Sequence, residues 1–400
     1  LKGRSLTINN TNALVHESAR KQEGVTHQDF SEIKYGAHND RLITCINSLS
    51  RPDIKTYASY NDYLILDEAV SDFESLGTSG AFKEKMRAPA YQALKDLVCN
   101  SAVTIASDAN LNDLTVNQLL KMNPDFAVVR VEFDYVKYAK PEVHSYSQGL
   151  FGKAENAFRK KASGDIKDAI WCGSASIEMA ERLKEAALEA GCNKVLLITK
   201  DTKGDYDSDL FSDLETAAKD FDVIISTSVI SSGVSLKKNI DVDVFLFGGP
   251  HISPTILNQM GARCRTAKRL HIELSSSSHN SERLSASDRG LFIGECTALD
   301  NLYLEVKQLH YEAAVSCAEI TLRLFKAQGY SIKIVDIDDS KEAEKAAKEK
   351  AEEVKFKGIV NADYLTEMQY TLLSEKDSPT STESYQLHRA KLVRLFAEKI

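Results

Sequence analysis

The chain has 400 residues, of which 43% are apolar and 27% charged, with a formal net charge of −8 and a pI near 5.7. This balance excludes collagen-like, mucin-like and wholly disordered chains, and the length suits roughly two or three domains of ~100–200 residues. The acidic sum disfavours a polycationic coat for nucleic acid, but leaves room for an enzyme that grips nucleic acid in a local groove, where the local field outweighs the total.

Residues 1–135 alternate short β-rich runs with helical patterns. Strands are predicted at Ser5–Ile8, Arg41–Ile46, Asp62–Leu66, Ser101–Ala106 and Phe126–Val131, and helices at Thr11–Lys21 and Pro89–Val98. Near-continuous apolar strands separated by helices are the pattern of a parallel sheet covered on both faces. Residues 136–165 hold Pro141, three glycines and the basic cluster Arg159-Lys160-Lys161, and read as a linker plus the helix leading into the next unit. Residues 166–290 repeat the rhythm. Strands are predicted at Asp168–Cys172, Lys194–Thr199, Asp222–Thr227, Asp241–Phe247 and Arg269–Leu274, with helices at Ser176–Ala190, Ser208–Lys219 and Ser253–Cys264. Residues 291–400 turn mainly helical, with one β-like run at Ser331–Val335, a charged helix at Lys341–Lys357 and a loop at Ser374–Ser384. The expectation is an α/β chain of two successive parallel-sheet units with a mainly helical C-terminal region.

Seven cysteines (Cys45, Cys99, Cys172, Cys192, Cys264, Cys296 and Cys317) are scattered and make no C-x-x-C pair. That spacing argues against a zinc site or a disulfide framework, and for a reducing compartment. No run of about 18 apolar residues offers a transmembrane helix, and no secretory leader pattern opens the chain. These features point to a cytoplasmic protein without a membrane partner, or to a host intracellular or nuclear one if the source is viral.

Leu64-Ile65-Leu66-Asp67-Glu68-Ala69 is an apolar strand ending in two acids. Functional crevices of open α/β sheets lie at the carboxyl ends of strands. An Asp there can hold Mg²⁺ through its water shell, and the next Glu can polarise the water that attacks a γ-phosphate. Acids are also favoured at the start of a following helix with no chemistry implied. Ser107-Asp108-Ala109-Asn110 follows another apolar strand; it suits a loop linking a nucleotide site to a moving part, or a plain turn. Ser226-Thr227-Ser228 and Ser231-Ser232-Gly233-Val234-Ser235 put hydroxyls and a glycine where N–H and O–H groups can meet a phosphate. Gln259-Met260-Gly261-Ala262-Arg263-Cys264-Arg265 lies late on a predicted helix. Its two arginines cannot share one helical face and so can serve different partners. A guanidinium fork suits a transferring phosphoryl group, and cations at a helix C-terminus are also favoured by the dipole.

The order of these segments resembles that of a superfamily-2 helicase. Asp67-Glu68 matches its motif II, Ser107–Asn110 motif III, Ser226–Ser235 motif V and Gln259–Arg265 motif VI. Asn9–Ala19 (NNTNALVHESA), Thr44–Leu49 (TCINSL), LILDEA and QMGARCR together resemble the herpesvirus origin-binding-protein type of helicase, whose relatives include plasmid and phage replication proteins; the likeness runs over roughly residues 1–275. The resemblance implies two RecA-like lobes in tandem, at 1–135 and 166–290, joined through 136–165 and followed by a mainly helical region at 291–400. It implies an ATP-dependent DNA helicase or translocase of a replication system, using ATP and Mg²⁺. Its partners would be single-stranded or origin DNA, and other replication proteins such as a primase or a single-strand-binding protein.

By the same resemblance, Asp67 would hold the Mg²⁺ and Glu68 would be the general base. Arg263 would be the arginine finger, with Arg265 and Gln259 sensing or positioning nucleotide and water. Gly233 and Ser235 would lie at the nucleotide. Asn10, Thr11 and Ser48 would touch the nucleic-acid backbone from the first lobe, and Thr227 and Ser228 from the second. Ser107 and Asp108 would couple the two activities.

The chain also departs from the pattern. No G-x-x-x-x-G-K-[ST] occurs, so the phosphate-cradling loop and its Lys are absent. In the family that loop precedes the strand at Ser5–Ile8. With a chain opening on Leu1, the resemblance implies an incomplete first lobe, a loop lying upstream, and little or no ATP hydrolysis by these residues alone. Relatives often carry a basic residue near Asn10-Thr11 and a glycine where Ala262 stands. The missing loop motivates a second reading, a nucleic-acid-binding scaffold with a degenerate ATPase core, although such a core has no chemical need for both acids and both arginines. A two-lobed α/β enzyme of another kind, such as a nucleotide-sugar transferase, explains the lobes but not the D-E and Q-x-x-x-R-x-R pair.

Overall fold

Two all-parallel sheets organise the chain. The computed structural model describes residues 3–9, 15, 18–19, 22, 24–26, 40–58, 61–78, 84–131, 139–206, 210, 214–230, 236–250, 252–275, 297–335, 341–376 and 379–397. The chain divides into one unit of Leu1–Tyr135 with Asn280–Glu312, and another of Val136–His279 with Ala313–Ile400.

In the first unit β1 (Ser5–Asn9), β2 (Val25–Thr26), β3 (Arg41–Cys45), β4 (Tyr63–Asp67) and β5 (Val103–Ser107) form a sheet in the order β2-β3-β1-β4-β5. Every pairing is parallel. Leu6 and Ile8 stand in register with Leu64 and Leu66. Successive strand residues face opposite sides, so these four enter one core, where all are fully buried. The helices α1 (Pro52–Ala58), α2 (Ala69–Thr78), α3 (Glu84–Asn100) and α4 (Asp113–Met122) contribute Ile54, Phe73, Leu94, Val98 and Met122 to that core. Burying each such large apolar side chain contributes roughly 1.5–3 kcal/mol. On the opposite face Ile43 and Cys45 pack with Val15 and Ala19, but β4 and β5 are poorly covered there. Tyr63 and Ile65 are half-buried, and Val103 and Ile105 are 44% and 39% exposed.

In the second unit β6 (Glu142–Tyr146), β7 (Ala169–Ser174), β8 (Val195–Ile198), β9 (Val223–Ser226), β10 (Ile240–Gly248), β11 (Arg269–Leu274) and β12 (Ile332–Val335) are ordered β12-β6-β11-β10-β7-β9-β8. Again every pairing is parallel. The helices α5 (Leu150–Ala162), α6 (Ile177–Glu189) and α7 (Pro254–Ala262) cover this sheet from two apolar clusters, one centred on Trp171 and the other on Phe158 and Phe245. The C-terminal region follows as α8 (Ala298–Val315), α9 (Cys317–Ala327), then β12, α10 (Lys341–Asn361), α11 (Glu367–Ser374) and α12 (Ser381–Ala397). Among the described residues no helix is long and apolar enough to cross a membrane.

Three segments differ from the sequence expectation. The stretch 136–165, expected to be a linker plus a leading helix, carries that helix as α5 but also the strand β6, and both belong to the second unit. Its Gly149 sits at φ 91°, at the start of α5, so the glycine punctuates a strand–turn–helix. Phe126–Val131 forms no strand. Phe126 packs against the first core, but Val128, Val129 and Val131 are exposed, and no described strand offers them hydrogen bonds. The C-terminal region does not form a separate body: α8 joins the first core through Leu302 and Val306, and β12 extends the second sheet. The predicted helices Thr11–Lys21 and Ser208–Lys219 fall largely outside the described residues.

A buried polar file crosses the second sheet. His271 bonds Tyr146 Oη through Nδ1 and Asp243 through Nε2, each at 3.0 Å. Burial pushes the imidazole below its ordinary value of 6.5, against the pull of Asp243. Burial raises Asp243, but hydrogen bonds from His271 and Arg269 overcome it and hold the carboxyl at about 2, down from 3.8. Both groups therefore bind fewer protons when folded than when unfolded. Their contribution is complete above about pH 6.5 and is lost on acidification, first through His271 and then, below about 3.8, through Asp243. Thermal melts between about pH 7.5 and pH 5 should show Tm falling with acid. His271→Gln should flatten that slope, and an unchanged slope would show that His271 is not its source.

Candidate functional site

The carboxyl ends of β3, β4 and β5 gather the first set of predicted residues. Asp67 closes β4 in register with Ser107 at the end of β5, and Ser107 Oγ donates to Asp67 Oδ1 at 3.1 Å. Glu68 follows with φ 61°, a left-handed conformation that non-glycine residues adopt at a cost. That turn ends the strand abruptly, and α2 begins one residue later. Asp108 accepts the Val70 N–H at 3.0 Å and the Asn110 N–H at 2.7 Å, so it caps the start of α2 from the neighbouring strand. Burial nevertheless raises the Asp108 carboxyl above its ordinary range. Ser48 lies in a single 3₁₀ turn after β3, half-buried, at the same edge of the sheet. Asn9 ends β1 there, fully buried, with neither amide atom hydrogen-bonded among the described residues. Asn10 and Thr11 lie outside the described residues.

Sequence reasoning missed Asp72. It stands on α2 one turn after Glu68, whose carbonyl accepts its N–H at 3.2 Å. The carboxyl is fully buried, and neither oxygen has a partner among the described residues. Burial drives it well above the usual carboxylate range, with Asp67, Asp108 and Glu68 adding to the effect. A raised folded value means that the folded chain holds the proton longer than the unfolded one. Stability from this group is full below about pH 3.8 and is lost as the pH rises through the folded value. Asp72→Asn should therefore stabilise the nucleotide-free protein at pH 7, and the gain should vanish in acid. Urea unfolding at about pH 7 and about pH 4 measures both; equal gains at the two would refute the titration account.

The second set lies in the other unit. Gln259 is buried on α7, and that helix stops at Ala262, two residues short of the expected Cys264. Arg263 caps it. Cys264 pairs with Leu236 in an isolated parallel bridge, in which Leu236 N donates to Arg263 O at 2.8 Å and Arg265 N donates to Leu236 O at 2.7 Å. Cys264 is buried in the core while Arg263 and Arg265 are not. The two arginines are thus separated by a pinned core residue rather than by helical pitch alone. Thr227 follows β9 directly, its N–H donating to Ile198 O at 3.0 Å, and Ser228 opens a 3₁₀ turn. Gly233 and Ser235 lie outside the described residues.

Other hydroxyls share this edge and were not singled out. Ser174 ends β7 and Ser176 caps α6, accepting Met179 N–H at 3.1 Å. Thr199 and Thr202 follow β8 and bond one another at 3.3 Å. The rule that found Thr227, an apolar strand ending in a small hydroxyl, finds Ser174 and Thr199 equally well.

Asp67, Glu68 and Ser107 lie at the carboxyl ends of strands in one unit, and Thr227 does so in the other, whereas Gln259 lies on α7 and Arg263 and Arg265 lie between α7 and the start of β11. The fold is two RecA-like lobes in tandem. Mss116p, a DEAD-box helicase, bound to ssRNA and AMP-PNP (NTE and C-tail double deletion), matches with a TM-score of 0.53 and 12% identity over 99% of this chain and 78% of that one. The form bound to ssRNA and UDP-BeF gives 0.52 and 13%, over 97% and 77%. At that identity the likeness is one of fold. No family model matches the sequence, and no curated protein does.

Proposed function

We propose that the protein is an ATP-dependent helicase or translocase of the origin-binding-protein type, acting on single-stranded DNA in a replication system. The supporting observation is the pair of acids at the end of β4, braced from β5 by Ser107. Asp67 offers one carboxylate at a strand end, which fits Mg²⁺, an ion that keeps most of its waters. The ion would neutralise charge on the nucleotide phosphates. Glu68 takes the proton of the attacking water. Arg263 stabilises the transferring phosphoryl group, and Gln259 and Arg265 position nucleotide and water. Ser48, with Asn10 and Thr11, and Thr227 with Ser228 hold the nucleic-acid backbone, so binding weakens as salt rises.

The phosphates need a cradle that these 400 residues lack. The uncovered side of β4 and β5 supports a site for it. A parallel sheet normally has both faces covered, and β5 is an edge strand with no charge or proline to protect it. A strand beside β5, with its helix over Ile65, Val103 and Ile105, would end its phosphate loop beside Asp67.

The test is ATP turnover of a protein extended to include that loop, with and without single-stranded DNA. Turnover that rises with DNA supports the motor. Intact DNA binding without turnover would favour the scaffold reading, which the absent G-x-x-x-x-G-K-[ST] motivates.

A further inference from the structure

We propose that the outer face of α10 and α11 is the contact through which two copies of this chain pair. Nothing in that pairing requires ATP turnover.

The face lies wholly in the second unit. Large apolar residues recur at every fourth position, from Phe356 through Val360, Tyr364 and Met368 to Leu372, and each is about half to three-quarters exposed. Residues four apart share one face of a helix. Phe356 and Val360 therefore line one side of α10, Met368 and Leu372 line one side of α11, and Tyr364 stands in the turn between them.

The stripe cannot turn inward, because the inner positions are filled. Ala347 and Ala351 of α10 are buried, Ala347 in the cluster that holds Leu183 and Ala187 of α6. Ion pairs flank that contact: Arg182–Glu344 at 3.3 Å, Lys350–Glu189 at 2.7 Å and Lys355–Glu181 at 3.6 Å. Farther along, a Cβ at Gly358 would lie 2.6 Å from the Tyr385 ring, so α12 closes on α10 where a side chain is missing. Arg389 of α12 donates to the Val360 and Ala362 carbonyls and lies 4.0 Å over the Tyr364 ring. Arg394 pairs with Glu367 and lies 3.5 Å over Tyr370. A capping box of Thr366 and Gln369 fixes the start of α11. The apolar side chains are thus presented outward on a braced frame. The eight residues of α11 include none that is buried, and so short a helix depends on packing for its stability.

The size of the stripe suits a protein contact. An aromatic side chain offers about 150–250 Å². Five large side chains at these exposures offer on the order of 600 Å², close to the ~800 Å² per partner of a stable interface and at the top of what monomers leave bare.

Charge selects the occupant. Residues 341–397 hold ten basic and ten acidic side chains, so the net charge of −8 resides in the rest of the chain. Two copies therefore repel over most of their surface and least at this neutral region. A nucleic-acid backbone would require a positive field, which the region lacks. In a twofold pairing the same patch meets itself, so the apolar stripe of one copy covers that of the other.

Sedimentation equilibrium of the full chain at about 1–100 μM tests this, and a monomer–dimer equilibrium should appear in that range, as expected of an interface of modest area. Met368→Glu and Phe356→Glu each replace an exposed side chain with a good helix former. Each should raise the dimer dissociation constant at least roughly 10-fold, with helix content by circular dichroism unchanged. Ile105→Lys, on the exposed side of β5, should leave the dimer intact. A chain that stays monomeric at about 100 μM overturns the proposal. So does a dimer that survives both glutamate substitutions, or one that Ile105→Lys dissolves while Met368→Glu does not.

Discussion

Arg263→Ala in the loop-containing protein should lower DNA-stimulated ATP turnover by about 10³–10⁵-fold, the range over which a transition-state arginine acts in phosphoryl transfer. Its backbone is held at three points: the N–H reaches Met260 O at 3.3 Å, the carbonyl accepts Leu236, and the next residue is buried in the core. A guanidinium on a fixed base loses less freedom on engaging phosphate oxygens than one on a mobile loop. Arg263→Lys should recover little, because an ammonium cannot bond two oxygens in one plane. DNA binding measured without nucleotide should be unchanged, which separates a transition-state role from a folding defect. A loss of only a few-fold in turnover would remove the finger assignment.

Glu68→Gln should reduce the same turnover by about 10²–10⁴-fold, the usual worth of general-base catalysis. The substitution keeps the side-chain shape and the backbone demand of the φ 61° position. The loss should therefore fall on the chemical step, with nucleotide affinity retained. Asp67→Asn should instead raise the Mg²⁺ concentration that turnover requires, because it removes the carboxylate proposed to hold the ion. Turnover that survives Glu68→Gln would mean that another group takes the proton.

The strand ends were legible because each apolar run stops abruptly at polar residues. Asp67, Ser107 and Thr227 sit at the termini that pattern implies, to within a residue. Asp72 was not legible. On a helical wheel it reads as one more acid on a surface helix, and only the packing of α2 shows that it is buried. The break after Ala262 was invisible too, because helical spacing continues through Cys264 and the bridge that ends it depends on Leu236, far earlier in the chain. Phe126–Val131 shows the converse failure. Its β-branched run fits a strand, yet a strand also needs a hydrogen-bonding neighbour, which residue type alone does not supply.

The closure of the first core by α8 bears on how the chain is made. Lys121 meets Glu305 across 184 residues of sequence. As the polypeptide leaves the ribosome, the first sheet is complete long before the helix that seals Leu302 and Val306 into its core exists. All the strands of the second sheet except β12 emerge in that interval. The early lobe must therefore wait, partly unsealed, while its neighbour assembles, and contacts this remote are slow to form and exposed to aggregation. A chain interrupted before residue 298 would carry the first sheet and every strand of the second but β12, and still bind folding chaperones, whereas one released after β12 would not.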